Sequence, residues 1–194
     1  MSPISSTLAN ASAYGYRIFA GEPNSYESIA TVTVGSGGSA SVTFSSIPST
    51  YQHLQVRYIG RDNRASASDD LMFRLNSDAT TANYNSHRLF GDGSAVSADR
   101  VTGFAGTLSA FVTGGTAGAS MFGVGVTDIL DYANTNKYKT TRSIGGNDQN
   151  GSGFASFISG LWMSTSAITN IEIIPLNGTL FTQYSSFALY GIKG

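Results

Sequence analysis

Apolar and polar residues alternate along short runs from Tyr26 to Ile192, and clusters of Gly, Ser, Asn and Asp separate the runs. Alternation with a period of two marks strands that bury one face. In the first run Ala30, Val32 and Val34 point one way while Glu27, Thr31 and Thr33 point the other, with Ile29 on the polar side. Gly35-Ser-Gly-Gly38 follows, then Val42 and Phe44, which predicts a hairpin with a glycine-rich turn. A phosphate cradle would need a helix next, and a strand follows instead. Beyond Pro48, Leu54, Val56 and Tyr58 alternate with His53, Gln55 and Arg57, and Leu71, Phe73 and Leu75 alternate with Met72 and Arg74.

Phe122, Val124, Val126 and Leu130 predict a core strand, with Gly123 and Gly125 on the other face where another backbone could come close. Phe154, Phe157, Ile158, Leu161 and Trp162 have helical spacing, but Gly153, Gly160 and the β-rich surroundings predict a strand buried on both faces. Ile171 and Ile173 form a strand ending at Pro175, a turn follows, and Phe187 to Ile192 closes the sheet. Roughly eight strands of this length predict an all-β fold, an antiparallel two-sheet sandwich of jelly-roll type. Its expected core is Val32, Phe44, Val56, Tyr58, Phe73, Val124, Val126, Ile173 and Leu189.

Two stretches lack this rhythm. Ser94 to Ser120 is mostly Gly, Ala, Ser and Thr, which suits a loop or flat strands packed against a neighbouring chain. Arg61 to Asp70 carries both charge signs and reads as a solvated loop, since its acidic residues lack the ordered ligand spacing of a calcium loop.

At 194 residues the chain fits one sandwich domain, residues 26–194, preceded by an N-terminal arm, residues 1–25. The formal net charge of -1, with Lys and Arg scattered, gives no footprint for a nucleic-acid partner. There is no Cys, hence no disulfide and no thiolate metal site. The first residues show no signal-peptide pattern and no run of about 18 apolar residues occurs, so a leaderless protein without a membrane partner is expected.

Candidate chemistry is sparse. The only candidate bases are His53 and His87, and no Gly-x-Ser-x-Gly elbow accompanies either. Asp128 and Asp131 are the nearest carboxylate pair, at a spacing that points them to opposite faces of one strand. No catalytic residue, cofactor or metal is therefore assigned, and the chain is read as non-enzymatic. Tyr51, Tyr84, Tyr132, Tyr138 and Trp162 could stack on sugar rings, though core or subunit interfaces are the commoner use of such residues. In the arm, Tyr14, Tyr16, Arg17, Ile18 and Phe19 form a cluster suited to docking on a partner, or alternatively an extra edge strand of the chain's own sandwich.

Several separated segments combine into a resemblance. They are Ser25-Tyr-Glu-Ser-Ile-Ala-Thr-Val-Thr-Val34, Phe44-Ser-Ser-Ile-Pro-Ser-Thr-Tyr-Gln-His-Leu-Gln-Val56, Asp128-Ile-Leu-Asp-Tyr-Ala-Asn-Thr-Asn-Lys-Tyr-Lys-Thr140 and Phe181-Thr-Gln-Tyr-Ser-Ser-Phe-Ala-Leu-Tyr-Gly-Ile-Lys193. In this order they resemble a family of small virion structural proteins of tailed bacteriophages, particularly those of aquatic bacteria. The resemblance implies a jelly-roll module on the exterior of the virion, a homotrimer that contacts other virion proteins such as the major capsid or tail proteins. Capsid decoration is the role it favours. A tail-fibre or tail-tip module that binds a host surface glycan is the alternative.

Overall fold

The alternating runs become twelve strands within residues 25–194, the part that the computed structural model describes. They are β1 (Tyr26–Thr33), β2 (Val42–Phe44), β3 (His53–Gly60), β4 (Ser68–Leu75), β5 (Tyr84–Gly91), β6 (Val96–Thr102), β7 (Thr107–Thr113), β8 (Gly123–Leu130), β9 (Lys139–Asp148), β10 (Gly153–Trp162), β11 (Ile171–Pro175) and β12 (Ser186–Ile192). The described residues contain no α-helix, only a 3-10 turn at Thr81–Asn83. The cluster Tyr14 to Phe19 lies outside the described residues.

Every strand pairing is antiparallel, and the strands form an eight-stranded sheet, β1-β12-β3-β8-β9-β10-β5-β6, and a four-stranded sheet, β2-β11-β4-β7. The chain crosses between the sheets at most connections, the wrap of a jelly roll. It stays in one sheet only for the β5–β6 hairpin and the β8–β9–β10 meander. The two-sheet sandwich expected from the alternation is thus present.

The glycine-rich segment after β1 corrects one detail, since β1 pairs with β12 and β2 with β11, so this segment crosses between sheets instead of closing a hairpin. A register slip between Ser28 and Ala30 accounts for Ile29, which the bulge tips toward the core. The segment with helical spacing is strand β10, and it alternates buried and exposed residues instead of burying both faces. Period two wins there because two flanking strands satisfy its backbone.

The main core lies between β3 and β12 on one side and β2, β4 and β11 on the other. Val56, Tyr58, Leu189 and Phe187 meet Phe44, Phe73 and Ile173, all buried. Of the expected core, Val32 and Val126 are only half-buried and Val124 is exposed. The Ser94 to Ser120 stretch divides: β6 is an exposed edge strand, whereas β7 is buried along its whole length against β8, β9 and β10 of the same chain. The small residues of β7 therefore serve an internal packing and not a neighbouring chain.

Candidate functional site: the outer face of the large sheet

Strand β8 shows why Val124 turned outward. Its inward residues are Gly123, Gly125, Thr127 and Ile129, and its outward ones Val124, Val126, Asp128 and Leu130. A β-carbon on Gly125 would run into the Tyr58 ring, and one on Gly123 would lie 2.8 Å from the Val112 backbone. β7 thus approaches so closely that larger side chains have no room on the inner face. Thr141, Ser143, Ser156 and Gly160 continue this on the inward faces of β9 and β10, where Ile158 and Trp162 are the large exceptions.

Hydroxyls satisfy one another across this tight layer. Tyr58 Oη lies 3.0 Å from Ser109 Oγ, Ser109 lies 2.7 Å from Thr127, and Thr127 lies 3.0 Å from Ser143. The Tyr58 phenol also donates to the Ala110 carbonyl, and burial pushes its pKa up. Such a chain of buried hydroxyls holds only while every member keeps a partner.

The apolar residues that the inner face excludes line up outside. Strand register places Val126, Ile144, Phe157, Leu89 and Ala98 side by side across β8, β9, β10, β5 and β6. Val124 flanks them from its own strand. Ile144 is 62% exposed, Val124 52%, Leu89 49% and Phe157 45%. The next register row is polar: Gln55, Asp128, Arg142, Ser159, His87 and Arg100. Gln55 Nε2 donates to Asp128 Oδ1 at 2.8 Å, and Arg142 pairs with Asp128 Oδ2 at 3.2 Å. A shallow groove runs beside this row, lined by His87, Leu89, Ala98, Arg100, Phe157 and Ser159.

Of the residues singled out for catalysis, only His53 and Asp131 come together, with His53 Nδ1 3.4 Å from Asp131 Oδ1. His87 stands on the outer face of β5, while His53 at the start of β3 accepts from the Asp131 backbone N–H at 3.0 Å. Asp131 lies in the turn after β8, where Lys137 holds its carboxyl below the usual range, and Asp128 remains on the outer face. Among the sugar-stacking candidates, Tyr84, Tyr132 and Trp162 are buried, Tyr51 is half-buried against the core and Tyr138 is exposed. The Trp162 indole donates to Asp78 at 2.8 Å, and the Tyr84 hydroxyl, whose pKa burial pushes up to about 12, bonds to the Leu75 backbone. The buried three hold the fold together.

The Arg61 to Asp70 connection differs from the solvated loop expected of it. Asp62 and Asp69 are fully buried, and Asp70 is buried with both its oxygens 2.8 Å from Arg88 Nη1. Arg61 donates to the carbonyls of Gly115, Ala117, Gly118 and Met121, which fixes the loop after β7. Arg64 pairs with Asp69 and Arg88 with Asp70, so these charges are taken inside the protein instead of by solvent. Among the described residues no group of three His, Cys, Asp or Glu side chains is placed to hold a metal ion.

With the fold class and this surface established, the comparisons with known proteins add little. No family model matches the chain, and neither does any curated protein. Among solved structures it is similar to the galectin LEC-6 of Caenorhabditis elegans, at a TM-score of 0.30 and 9% identity, covering 84% of this chain and 96% of that one. A likeness at that level does not bear on what this chain binds.

Proposed function

We propose that the chain is a non-enzymatic structural protein on the exterior of a tailed-phage particle, a capsid decoration protein that works through its outer sheet face. The observation that supports this is the row of apolar residues from Val126 to Leu89 with Val124 beside it, exposed on a face that no other described residue covers. Exposed apolar patches of this continuity mark protein contacts on soluble domains. In this reading the face is covered by a second copy of the chain, and the trimeric number follows the virion-protein resemblance. The exposed edge strand β6 continues the same surface, so neighbouring virion proteins can be met there.

The groove beside Phe157 favours one alternative, a tail-borne module that binds a host glycan. His87, Arg100 and Ser159 would contact hydroxyl or carboxylate groups of a sugar whose ring rests on Phe157. One experiment separates the two. Purified protein is added to particles stripped of it and imaged by electron microscopy. Density repeating over the capsid lattice is expected; density confined to the tail tip would select the glycan-binding alternative, and no density on any particle would overturn both.

A further inference from the structure

At the end of the sandwich where β3 passes to β4, two carboxyl groups lie buried against each other. Asp62 and Asp69 are both fully removed from solvent and both lie against Gly178, whose N–H donates to Asp69 Oδ2 at 2.8 Å and where an added β-carbon would sit 2.8 Å from Asp62 Oδ2. Asp69 is saturated with donors. Its Oδ1 accepts from Arg64 Nη1 at 3.0 Å, the Asp70 N–H at 2.9 Å and Asn177 Nδ2 at 2.7 Å. Its Oδ2 accepts from the N–H groups of Asn177 and Gly178 at 2.9 and 2.8 Å. Asp62 Oδ1 accepts from the Arg64 N–H at 3.1 Å, whereas its Oδ2 meets no donor at all. Two ionised carboxylates cannot bond to each other, and a buried carboxylate oxygen without a donor is costly. A proton on Asp62 resolves both problems, turning the orphaned acceptor into the donor that the pair lacks.

We propose that Asp62 and Asp69 share a single proton, carried on Asp62, and that this proton locks the β3–β4 connection to the turn at residues 176–180 until alkaline pH removes it. The charged groups that bear on the pair are Arg64, from the same connection, and Asp70, next on β4, whose carboxylate is taken by Arg88 of β5. The facing turn and the end of β7 offer only amides, carbonyls and hydroxyls. Burial first, then the hydrogen bond and charge of Asp69, push the Asp62 carboxyl up to about 8. Burial would raise Asp69 too, but hydrogen bonds from Asp62, Asn177 and Gly178 outweigh it and hold that carboxyl below its usual range.

The sign follows from linkage. Asp62, raised in the folded chain, contributes fully below about pH 4 and loses its contribution as pH rises toward 8. Asp69, lowered, contributes above about pH 4 and loses its share as pH falls through its folded value. The lock is independent of the proposed virion role, because it needs no partner.

The test compares denaturant unfolding of the full chain and of Asp62→Asn between pH 5 and 9, since an asparagine amide can donate to Asp69 at every pH. Relative to the variant, the wild-type unfolding constant should rise about tenfold per pH unit from 5 to 7 and level off above 8. Parallel curves would overturn the proposal. Should the variant fail to fold, the carboxyl carbon-13 shift of Asp62 in the wild type decides: a midpoint near 8 supports the lock, and one near the ordinary 4 overturns it. Calcium provides a third arm. No effect on the melting temperature is expected, and stabilisation of the wild type but not of Asp62→Asn would mean that a cation, not a proton, bridges the pair.

Discussion

The two halves of the eight-stranded sheet follow opposite rules. In the half built from β12 and β3, the inner face carries Val56, Tyr58, Phe187 and Leu189, and the outer face is polar around Gln55 and Arg57, with Ile59 exposed where it meets Val124 of β8. There Arg57 lies over the rings of Tyr26 and Tyr190, at 5.4 and 5.1 Å from their centroids, and donates to Gln55. In the half built from β8, β9 and β10, the stretch under β7 turns hydroxyls and glycines inward and Val124, Ile144 and Phe157 outward, while Ile129, Ile158 and Trp162 stay buried on the inner face. The halves share strand geometry and differ in what covers them. The first packs on β2, β11 and β4, which leave room for full side chains, whereas the second packs on β7, which comes close enough to exclude them. Which face of a strand is apolar is thus decided by the thickness of the opposing layer. Apolar residues that cannot fit inside become surface, and a surface of this kind is available to a partner.

The largest expected effect lies in the conventional half. Phe187 packs with its ring centroid 4.7 Å from that of Phe181 and 6.0 Å from that of Tyr58. Replacing Phe187 with Ala should cost about 3–5 kcal/mol, read as a lowered denaturant midpoint. A loss below about 1 kcal/mol would show that the aromatic core is not what holds β12 to the small sheet.

The inverted half should respond to a smaller chemical change. Thr127→Val keeps shape and removes one hydroxyl, leaving both Ser109 and Ser143 short of a partner in a buried layer. A cost of about 1–3 kcal/mol is expected by equilibrium unfolding. A neutral or stabilising outcome would mean that the tight layer tolerates an apolar interior and that its hydroxyls do not specify it.

The sequence carried the conventional half openly. Alternation in Leu54-Gln-Val-Arg-Tyr58 and Phe187-Ala-Leu189 points the right residues inward, because a roomy sheet interface rewards large apolar side chains. The same rule misassigned Val124 and Leu130, since nothing local to β8 shows that β7 will lie close against Gly123 and Gly125. The glycines themselves were the usable signal. They mark a close backbone approach, and that approach is what turns the valines outward. The candidate site was less legible than the fold, because its row of residues is assembled from five strands whose order depends on long-range pairing. The buried carboxyl pair was hidden for a related reason: Arg61 to Asp70 has the composition of a solvated loop, and only the turn at residues 176–180, more than a hundred positions later, closes over it.

The claim that the outer face is an assembly surface is tested most directly by sedimentation velocity on the wild type and on a variant carrying Ile144→Lys and Phe157→Glu. The two positions are register partners on β9 and β10, so the introduced charges are opposite and adjacent, and the outward-facing changes should alter fold stability by no more than about 0.5 kcal/mol. A trimer of the wild type at micromolar concentration and a folded monomer of the variant with an unchanged melting temperature are expected. A wild type that sediments only as monomer, or a variant that associates as the wild type does, would contradict it.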